Sequence, residues 1–413
     1  WGPQRHSNGE MTSGMIMLLA LALGQVGLPG TNNGMNVAWG GGFLTHVSAG
    51  HNIVPFRIPA YRFLEAIEDG TRLGAAEGVR GLAADQRLAH GIKAIVCHGG
   101  NCLTNQHGDV NRAHRVLADT SACEFIVNID VEFTDSARYA DIVLPVCSKF
   151  EDTVEHSIVR SDYNHVNLQT KCIDPLFDSK PDFDVMRLIA EEMGVGDYLP
   201  KTAEELVRYQ IEHSEDLAEQ GITLDALVKN HGSIKMAGTD EPRRAYTDQV
   251  FETPTTRIEP YYEAWTACDQ AWPTWEENNE AYAGNPLADK YPLQFTQTRT
   301  RFSNHSHFKA AKWLQQFAKP TLELNPADME ARGIADGDLV EAFNDRGSFK
   351  CTARANNAIR PGSSRTWEAG WSKYIEEGNT QNVTNDHVNP RDAFLPTGAP
   401  IPFNDTLIEV KKA

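Results

Sequence analysis

Short apolar runs separated by small and polar residues organise the stretch 93–145. Three of them, Ala94–Cys97, Phe125–Ile129 and Ile142–Leu144, are rich in β-branched residues, which is typical of strands buried on both faces of a parallel sheet. Between the first two runs, apolar residues recur at helical spacing within Asp109–Asp119. This order predicts a βαβ arrangement, and ligands of such sheets bind beyond the carboxyl ends of the strands.

Small or polar residues follow the predicted strands of this stretch. His98–Asn101 (HisGlyGlyAsn) follows the first strand, Asp130–Asp135 follows the second, and the third ends at Pro145. Glycine lets a ligand approach the backbone closely, and backbone N–H groups bind phosphate. The pattern therefore predicts a ligand site at this edge of the sheet, although Gly-Gly-Asn after a strand is also typical of an ordinary turn.

The residues before this stretch predict a helix, a long loop and two short helices. Met11–Leu23 is apolar on nearly all sides, so we expect a buried helix. Its most apolar stretch, Met15–Leu23, is too short to span a bilayer. Residues 27–50 are rich in Gly and Asn and predict a loop folded over the rest of the protein. Pro59–Asp69 and Gly81–His90 predict short helices.

After Pro145 the pattern changes to short alternating segments and helices. Lys180–Gly194 predicts a helix with Asp182 as its N-cap and Gly194 at its end. Residues 230–285 show weak periodicity and predict a surface excursion and linker. The remaining predicted elements are strands at Ile158–Val159 and Asn164–Lys171 and helices at Ala203–Gln220 and Leu224–Lys229.

Near Pro292 the chain changes to short strands joined by Gly and Pro turns, with one small helix at Asn325–Arg332. This pattern predicts a compact β-barrel domain. We therefore divide the chain into an α/β domain at 1–195, a helical excursion and linker at 196–288, and the barrel at 289–413. The predicted barrel strands are Leu293–Thr298, Thr321–Leu324, Leu339–Asn344, Ser348–Ala355, Ser364–Trp367 and Phe403–Lys411.

Composition narrows the function classes. The chain has 413 residues, 41% hydrophobic and 23% charged, which is ordinary for a globular protein with more than one domain. A net charge of −18 argues against a nucleic-acid partner. The seven cysteines are scattered without a CxxC pair. This spacing shows neither a zinc site nor a four-cysteine iron–sulfur site, and it favours buried free thiols over disulfides.

Four motifs occur in an order typical of one family. They are WGPQRxxNGE at 1–10, GGNxLxNQxxDxNR at 99–112, TxSARYADIVLP at 134–145, and an RPG…W…G…N…T…D run from Arg360 to Asp386. The chain resembles the C-terminal half of the catalytic subunit of molybdopterin oxidoreductases of the dimethyl sulfoxide reductase family. Dimethyl sulfoxide and trimethylamine N-oxide reductases are the members that it resembles most.

The resemblance implies a fold and a cofactor. It implies a parallel-sheet α/β domain that binds molybdopterin, followed by a C-terminal double-psi β-barrel domain. The cofactor would be two molybdopterin guanine dinucleotides that hold molybdenum. An iron–sulfur segment and the metal-ligating residue would belong to an N-terminal half. The chain starts at Trp1 without Met, and we expect it to be a fragment that is inactive alone.

The resemblance also implies a reaction, partners and a location. The parent enzyme would transfer an oxygen atom in the two-electron reduction of a small S-oxide or N-oxide. Its partners would be the missing N-terminal half, an iron–sulfur electron-transfer subunit and a membrane anchor subunit. The parent would be periplasmic or at the outer face of a bacterial membrane.

Two acidic residues are candidates for recognition of guanine, because a carboxylate accepts hydrogen bonds from the N1–H and N2 amine edge. Asp130 follows the second predicted strand. Asp182 begins a predicted helix and serves equally well as a plain N-cap. By resemblance, Asn101 and Asn105 contact the cofactor diphosphates.

The polar segment 296–306 after the first barrel strand supplies hydroxyl, amide and guanidinium groups for the cofactor. Asp152 stands where the family often has Arg. His305, considered alone, is a metal ligand, a base or a surface histidine. We assign no catalytic or metal-binding residue. The candidate cofactor-binding residues are Trp1, Gly2, Gln4, Arg5, Gly100, Asn101, Asn105, Ile129, Asp130, Asp152, Asp182, Gln297, Thr298, Arg301, Ser303, Asn304, His305, Asn382, Thr397 and Gly398.

Two other functions compete with the oxidoreductase fragment. One is a non-catalytic cofactor-binding or assembly module that retains the fold. The residue that would separate it from an enzyme is the metal ligand, which the resemblance places before Trp1. The other is a hydrolase on the α/β sheet, which the absence of a GxSxG motif disfavours.

Overall fold

A parallel three-stranded sheet and a closed barrel are the two main β structures of the chain. The computed structural model describes residues 2–31, 44–47, 51, 53–54, 56–105, 108–152, 158–161, 165–238, 240, 244, 246–317, 319–389, 391 and 402–413. The helices and strands before the barrel are α1 (Gly9–Ala22), α2 (Phe63–Asp69), β1 (Ala94–His98), α3 (Cys102–Asn105), α4 (Val110–Ala118), β2 (Phe125–Asp130), β3 (Ile142–Pro145), β4 (Ile158–Ser161), β5 (His165–Leu168), α5 (Asp182–Glu192), α6 (Ala203–Glu212), α7 (Glu215–Glu219), α8 (Leu224–Lys229) and β6 (Ser233–Lys235).

Strands β1, β2 and β3 are parallel and lie side by side in that order. The predicted βαβ arrangement is therefore confirmed. Helix α4 begins after Asp109, whose carboxylate accepts the Arg112 backbone N–H at 3.3 Å. The predicted apolar positions of α4 face a core that includes Leu64 of α2 and Ile126 of β2.

The expectation that all three strands are buried on both faces is wrong. In β2, Ile126 packs against α4, whereas Val127 and Ile129 pack with Val185 of α5 on the other face. The flanking strands have no such cover among the described residues. As a result Val96 is 64% exposed and Ile142 is 45% exposed.

Helix α1 also departs from its prediction. Gly9 and Met11 are its buried residues, whereas Ile16 is 50% exposed and Leu19 is 62% exposed. Within the described part of the chain, the closely packed element against α1 is the 3₁₀ turn Pro3–Arg5, at the helix's own start. Its apolar sides therefore have no core to face there.

Two further helix predictions are corrected. Residues 81–90 form turns and an isolated bridge rather than a helix, because the Leu88 backbone N–H pairs with the Leu73 carbonyl at 2.9 Å. The helix predicted from 203 to 220 is two helices. The chain is extended at Ser214, which precedes α7, and the Ser214 hydroxyl accepts the Thr45 backbone N–H at 3.0 Å.

Strands β4, β5 and β6 form a small antiparallel sheet, and β6 was not predicted. Helices α6 to α8 pack on this sheet through a core that contains Val166, Ile211, Leu217 and Leu227. Residues 246–285 contain a 3₁₀ helix at Glu263–Cys268 and otherwise form loops. The segment therefore wraps the surface, as its weak periodicity predicts.

The barrel is a closed six-stranded structure extended by one short strand of two residues. Strand β10 pairs with both β8 and β9, so the order β10-β8-β11-β7-β13-β9 returns to β10. The strand positions agree with prediction to within a few residues. Its elements are β7 (Leu293–Thr298), α9 (Lys312–Gln315), β8 (Thr321–Leu324), α10 (Pro326–Glu330), β9 (Leu339–Phe343), β10 (Ser348–Ala355), β11 (Ser363–Trp367), β12 (Glu377–Gly378) and β13 (Thr406–Lys412).

Closure gives the barrel a continuous core. Alternate residues of β7 are buried, and Leu293 and Phe295 pack with Leu322, Val340 and Phe349 from other strands. Every strand of a closed barrel has two neighbours, so no backbone edge is left unpaired. In the described part of the chain, no helix is long and apolar enough to cross a membrane.

Candidate cofactor-binding cleft

A cleft of about 510 Å³ lies between the carboxyl edge of the β1–β3 sheet and the barrel. Four groups of residues form it. Two are the opening loop (residues 2–10) and the glycine loop (98–101) with the start of α3. The others are the polar residues after β2 and, in the barrel, the residues that follow β7 and β11 or precede β13. The lining residues are Gly2, Arg5, Gly99, Gly100, Asn101, Cys102, Asn105, Asp130, Glu132, Thr134, Gln297, Thr298, Arg299, His305, Ser306, His307, Glu368, Ala369, Trp371, Gln381, Phe403 and Asn404.

The glycine loop leaves β1 in a conformation that favours glycine. Gly99 has φ +62°, and its backbone N–H donates to the Ile129 carbonyl of β2 at 2.9 Å. A Cβ at Gly99 would meet no atom within 4 Å, so the space beside the loop is open. The next side chain, Asn101, accepts hydrogen bonds through Oδ1 from the Ser136 backbone N–H at 3.0 Å and the Ser136 hydroxyl at 2.8 Å.

A chain of amide hydrogen bonds crosses the cleft. The Asn404 backbone N–H donates to the Arg5 carbonyl at 3.0 Å, and Asn404 Oδ1 accepts the Gln297 backbone N–H at 2.7 Å. Gln297 Nε2 donates to Gln381 Oε1 at 2.7 Å, and Gln381 Nε2 reaches the Asn105 carbonyl at 3.4 Å. Side-chain amides thus connect the opening loop, the barrel and α3.

The opening loop is held by a buried charged network behind the cleft. Asp405 is fully buried, and its carboxylate accepts the backbone N–H groups of Asn279 at 3.0 Å, Glu280 at 3.2 Å and Ala281 at 2.6 Å. The Ser7 hydroxyl donates to the same carboxylate. These bonds fix the loop that carries Arg5 to the start of β13.

The arginines of the cleft lie together with Glu368 and His305. Arg299 pairs with Glu368 at 3.2 Å and donates to His305 Nε2 at 2.9 Å. Burial lowers the pKa of the Arg5 guanidinium, while the neighbouring Tyr61 and Glu368 act in the opposite direction. Burial and the Arg299 charge lower the pKa of His305, which favours a neutral imidazole there.

The acidic part of the cleft lies after β2. Asp130 Oδ1 accepts the Glu132 backbone N–H at 3.2 Å. Burial raises the pKa of Asp130, and the charge of Asp182 acts in the same direction. Burial and the Asp130 charge raise the pKa of Glu132, while His307 stabilises both carboxylates. Two acids so close together favour a ligand that supplies hydrogen-bond donors or positive charge.

Three buried side-chain atoms of the lining residues have no hydrogen bond among the described residues, and one of them, Glu368 Oε1, still forms an ion pair with Arg299 at 3.2 Å. The Asn101 Nδ2 donor and the Gln297 Oε1 acceptor have no hydrogen bond there, although their residues are only 7% and 6% exposed. A buried polar group without a partner costs about 1–3 kcal/mol. A ligand that offers both an acceptor and a donor would satisfy this pair.

Two family models match the chain on either side of the cleft. The molybdopterin oxidoreductase model matches residues 1–192, and the molydopterin dinucleotide binding domain model matches residues 293–394. The chain belongs to the molybdopterin oxidoreductase family. It therefore carries both a molybdopterin oxidoreductase domain and a molybdopterin dinucleotide-binding domain.

Curated relatives extend the match along the chain. The dimethyl sulfoxide reductase of Haemophilus influenzae is 31% identical over 394 residues, covering 90% of this chain and 48% of that protein. The Escherichia coli dimethyl sulfoxide reductase is 30% identical over 442 residues, covering 100% of this chain and 53% of that protein. The chain thus spans about half the length of the curated relatives that it matches.

A solved structure shares the fold. Acetylene hydratase from Pelobacter acetylenicus superposes with a TM-score of 0.64 at 17% identity, covering 86% of this chain and 46% of that chain. Mixed α/β architecture with a parallel sheet and a six-stranded barrel is therefore common to both.

The residues of the cleft fit a molybdopterin cofactor of this family. A pterin carries ring donors and acceptors on one edge, which match the unpartnered Asn101 Nδ2 and Gln297 Oε1. A phosphate group suits the open glycine loop and the guanidinium groups of Arg5 and Arg299. The donor set thus satisfies both chemical parts of such a ligand.

The structure brings some of the predicted site residues together in the cleft and leaves others outside it. Those that line it are Gly2, Arg5, Gly100, Asn101, Asn105, Asp130, Gln297, Thr298 and His305. Those that lie outside it are Gln4, Ile129, Asp152, Asp182, Arg301, Ser303, Asn304 and Asn382. Trp1, Thr397 and Gly398 fall outside the described residues.

Two predicted residues near β2 have other roles in the fold. The Ile129 side chain is 0% exposed in the core, so it cannot touch a ligand, but its carbonyl supports Gly99. The N-cap of α5 is Pro181 rather than Asp182. The Asp182 carboxylate instead lies 2.6 Å from His98 Nε2 at the end of β1.

In the barrel, two of the predicted positions are displaced by one or two residues from the residue that lines the cleft. Asn382 is turned to the Ser348 carbonyl at 2.9 Å, and its neighbour Gln381 lines the cleft instead. Arg299 and Arg301 are both exposed, but only Arg299 is among the residues that line the cleft. Asn304 is also exposed, with its Oδ1 3.4 Å from Arg299 Nη1.

The prediction missed the other lining residues for two reasons. The sequence singled out the polar segments that contain or adjoin Arg299, Ser306 and Glu132. It did not indicate which side chains of those segments point into the cleft. Glu368 and Asn404 follow or precede strands far along the chain, and no local pattern marks them.

Proposed function

We propose that this chain is part of the catalytic subunit of a molybdenum oxidoreductase that binds bis(molybdopterin guanine dinucleotide). The cleft would hold one of the dinucleotides. The observation that carries the proposal is the pair of buried, unpartnered polar atoms of Asn101 and Gln297, two residues that line one cleft from two domains of the family. We further propose that the parent reduces a small S-oxide or N-oxide, as the names of its relatives suggest.

Each part of the proposed ligand has a group suited to it. The glycine loop, Arg5 and Arg299 would hold the diphosphate, because backbone N–H groups and guanidinium groups both bind phosphate oxygens. Asp130 would accept hydrogen bonds from the guanine edge. Burial raises its pKa, and two hydrogen bonds from guanine would favour the ionised carboxylate again.

The chemistry of the proposed reaction belongs to the cofactor, and these residues position it. When bound, a molybdenum centre of this kind supplies two-electron redox chemistry for oxygen-atom transfer. The amide chain through Asn404, Gln297 and Gln381 holds the two sides of the cleft at a fixed separation. The buried Asp405 network fixes the opening loop, so Arg5 would be oriented before the ligand arrives.

We also propose that the barrel has the double-psi topology. Two parallel pairs support this topology: β7 pairs with β11, and β8 pairs with β10. Along the chain the β8–β10 pair is nested inside the β7–β11 pair, because β8 and β10 both lie between β7 and β11. The β11–β8 antiparallel contact joins them.

The remaining proposals concern the whole protein. The relatives are about twice as long as this chain, which supports the proposal that the missing part supplies the metal ligand and that the chain alone is inactive. An iron–sulfur segment, an electron-transfer subunit, a membrane anchor and a periplasmic or outer-face location are proposed from the family resemblance.

A binding measurement with paired arginine variants tests the cleft. Molybdopterin guanine dinucleotide released from a purified molybdenum enzyme would be titrated into the chain and followed by pterin fluorescence. Because Arg299 lines the cleft and the likewise exposed Arg301 does not, we expect Arg299→Ala to weaken binding about tenfold or more. Arg301→Ala should leave binding within about twofold of wild type.

The outcomes test two assignments independently: the cleft as the cofactor site, and Asp130 as the residue that recognises guanine. Equal loss in both arginine variants, or no binding by wild type, would contradict the proposed cleft. GDP and ADP titrated in parallel test the base: preference for GDP that disappears in Asp130→Asn supports guanine recognition. Equal binding of GDP and ADP would overturn the role of Asp130 and leave the diphosphate assignment standing.

A further inference from the structure

Two cysteines bracket the glycine loop. Cys97 is the fourth residue of β1, and Cys102 is the first residue of α3. Their Sγ atoms lie 3.6 Å apart, and Cys97 Sγ also lies 3.0 Å from the Gly100 carbonyl. A disulfide needs an S–S distance of about 2.05 Å, so the sulfurs must approach by about 1.5 Å. Rotation of one side chain supplies a movement of this size without a change of the strand.

The two thiols differ in access. Cys102 lines the cleft and is partly exposed, whereas Cys97 is buried at 4% exposure. A small reagent that enters the cleft therefore meets Cys102 first. Cys97 lies behind it, within reach of Cys102 and out of reach of the reagent.

The contact between the thiols also separates their acidities. The hydrogen bond from Cys97 stabilises the Cys102 thiolate and lowers the pKa of Cys102 to about 7, while burial opposes the shift. The same contact and burial raise the pKa of Cys97. Thiolate is the nucleophilic form, so Cys102 is the reactive member near neutral pH.

We propose that Cys102 and Cys97 form a thiol–disulfide exchange site that opens into the cleft, with Cys102 as the attacking sulfur and Cys97 as the resolving one. The substrate class is a small disulfide such as oxidised glutathione. This site does not depend on the proposed cofactor function, because it requires only the thiols and an open cleft.

The exchange proceeds in two balanced steps. The Cys102 thiolate attacks one sulfur of the reagent, its S–S bond breaks, and one reagent thiolate leaves and takes up the proton that Cys102 released. Cys97 then loses its proton and attacks Cys102 Sγ, which expels the second reagent thiol. The two protein thiols lose two electrons and two protons in total, and the reagent disulfide gains both.

Closing the disulfide would change the lining of the cleft. The Cys102 sulfur would turn toward Cys97, and the bond would close a ring through the four residues 98–101. Asn101 is already fixed to Ser136, so the ring would restrain the glycine residues between two anchored points. A ligand that needs this loop to adjust would bind the reduced form better.

Mass spectrometry of the wild-type chain tests the site directly. The protein is incubated with oxidised glutathione, alkylated, digested and mapped. We expect one intramolecular disulfide that joins Cys97 and Cys102 and that dithiothreitol reverses. This readout needs no variant, so it does not depend on whether a substitution disturbs folding. Alkylation of both thiols after treatment, with no such link, would overturn the proposal.

Two variants then assign the roles. They are made in a Cys172→Ser/Cys268→Ser background, because those two cysteines lie at exposed or partly exposed positions. Cys97→Ser should stop at a stable glutathione adduct on Cys102. Cys102→Ser should lose the reaction altogether. An adduct on Cys97 in the second variant, or none on Cys102 in the first, would contradict the assignment of attacking and resolving sulfurs.

Discussion

The barrel and the β1–β3 sheet differ in how far they bury their own apolar residues. In the barrel, Leu322 and Phe349 are essentially inaccessible in an apolar core to which five of the six strands contribute. In the sheet, one face packs on α2 and α4, while Val96 and Phe125 are 64% and 42% exposed. The difference follows from closure, because a closed barrel supplies every strand with neighbours and an open sheet does not.

The cleft lies where these two regions meet, and it depends on both. The barrel side supplies Gln297, Arg299 and Gln381, and the sheet supplies the glycine loop and the acids after β2. The barrel side is held by a self-contained core. The sheet side rests on a smaller core and on hydrogen bonds that reach across to the barrel. The comparison predicts that damage to the barrel core will cost more stability than damage to the outer face of the sheet.

The largest effect is expected from a cavity in the barrel. Leu322→Ala removes a side chain that is 0% exposed, so the free energy of unfolding should fall by about 2–5 kcal/mol. Val96→Ala on the exposed side of β1 should change it by less than about 0.5 kcal/mol. Urea unfolding followed by circular dichroism measures both. Similar losses of unfolding free energy in the two variants would contradict the predicted difference between the barrel and the sheet.

A somewhat smaller effect is expected at Asp405, which joins the opening loop and residues 279–281 to the barrel. Asp405→Ala leaves three backbone N–H groups without the acceptor that they use here. The free energy of unfolding should fall by about 2–4 kcal/mol. Asp289→Ala, at an exposed position before β7, is the matched control. A loss no greater than that of the control would show that water replaces the carboxylate at no cost.

The glycine loop provides a local test with an internal control. Gly99 has φ +62° in open space, so Gly99→Ala should destabilise the chain by about 1 kcal/mol through backbone strain alone. Gly100→Ala should be near neutral, because its Cβ would meet Cys102 Sγ at an ordinary 3.8 Å. Thermal unfolding compares them. Gly337 in the barrel has φ +89°. If backbone strain is a local cost in both regions, Gly337→Ala should lower the stability by the same amount as Gly99→Ala.

The smallest effect concerns pH and the opening loop. Burial lowers the pKa of His6 below its ordinary value of 6.5, although Asp405 opposes the shift. The unfolded chain therefore binds a proton more readily than the folded chain as the pH falls through 6.5. The free energy of unfolding should decrease from that pH down to the folded pKa, because His6 is held neutral only in the folded state.

His6→Gln isolates this contribution. Urea midpoints measured at intervals between neutral and mildly acidic pH should fall less steeply for the variant than for wild type. His90→Gln changes an exposed histidine and serves as the control. Identical pH slopes for wild type and His6→Gln would exclude a role of His6 in the acid sensitivity of this loop.

Much of the fold could be predicted because its signals are local. The apolar runs at 94–98, 125–130 and 142–145 and the alternation in β7 and β10 mark strands wherever they pack. Predictions failed where a partner decides the outcome. Helix α1 is apolar all round, which predicts burial, but burial requires a neighbour that the described residues do not provide. Ser214 interrupted a predicted helix because its hydroxyl bonds to Thr45.

The sequence predicted which segments form the cleft better than it predicted which residues of those segments line it. Polar residues at strand ends identified the glycine loop, Asp130 and the segment after β7. Arg299 lines the cleft and Arg301 does not. The geometry of the turn after β7 decides where each side chain points, and this geometry cannot be predicted from the residue types of the segment. Gln381 lies in the cleft because it bonds to Gln297, while Asn382 turns to Ser348.

The sequence by itself determined the order of strands and helices, the motifs of the molybdopterin oxidoreductase family and the small or polar residues that follow the sheet strands. These depend on the periodicity of a strand or helix and on residues that adjoin one another. Only the tertiary structure decided that Arg5, Asn404, Gln297 and Gln381 form one connected cleft and that Cys97 touches Cys102. Those contacts depend on strand register and turn geometry over hundreds of residues, which no local pattern specifies.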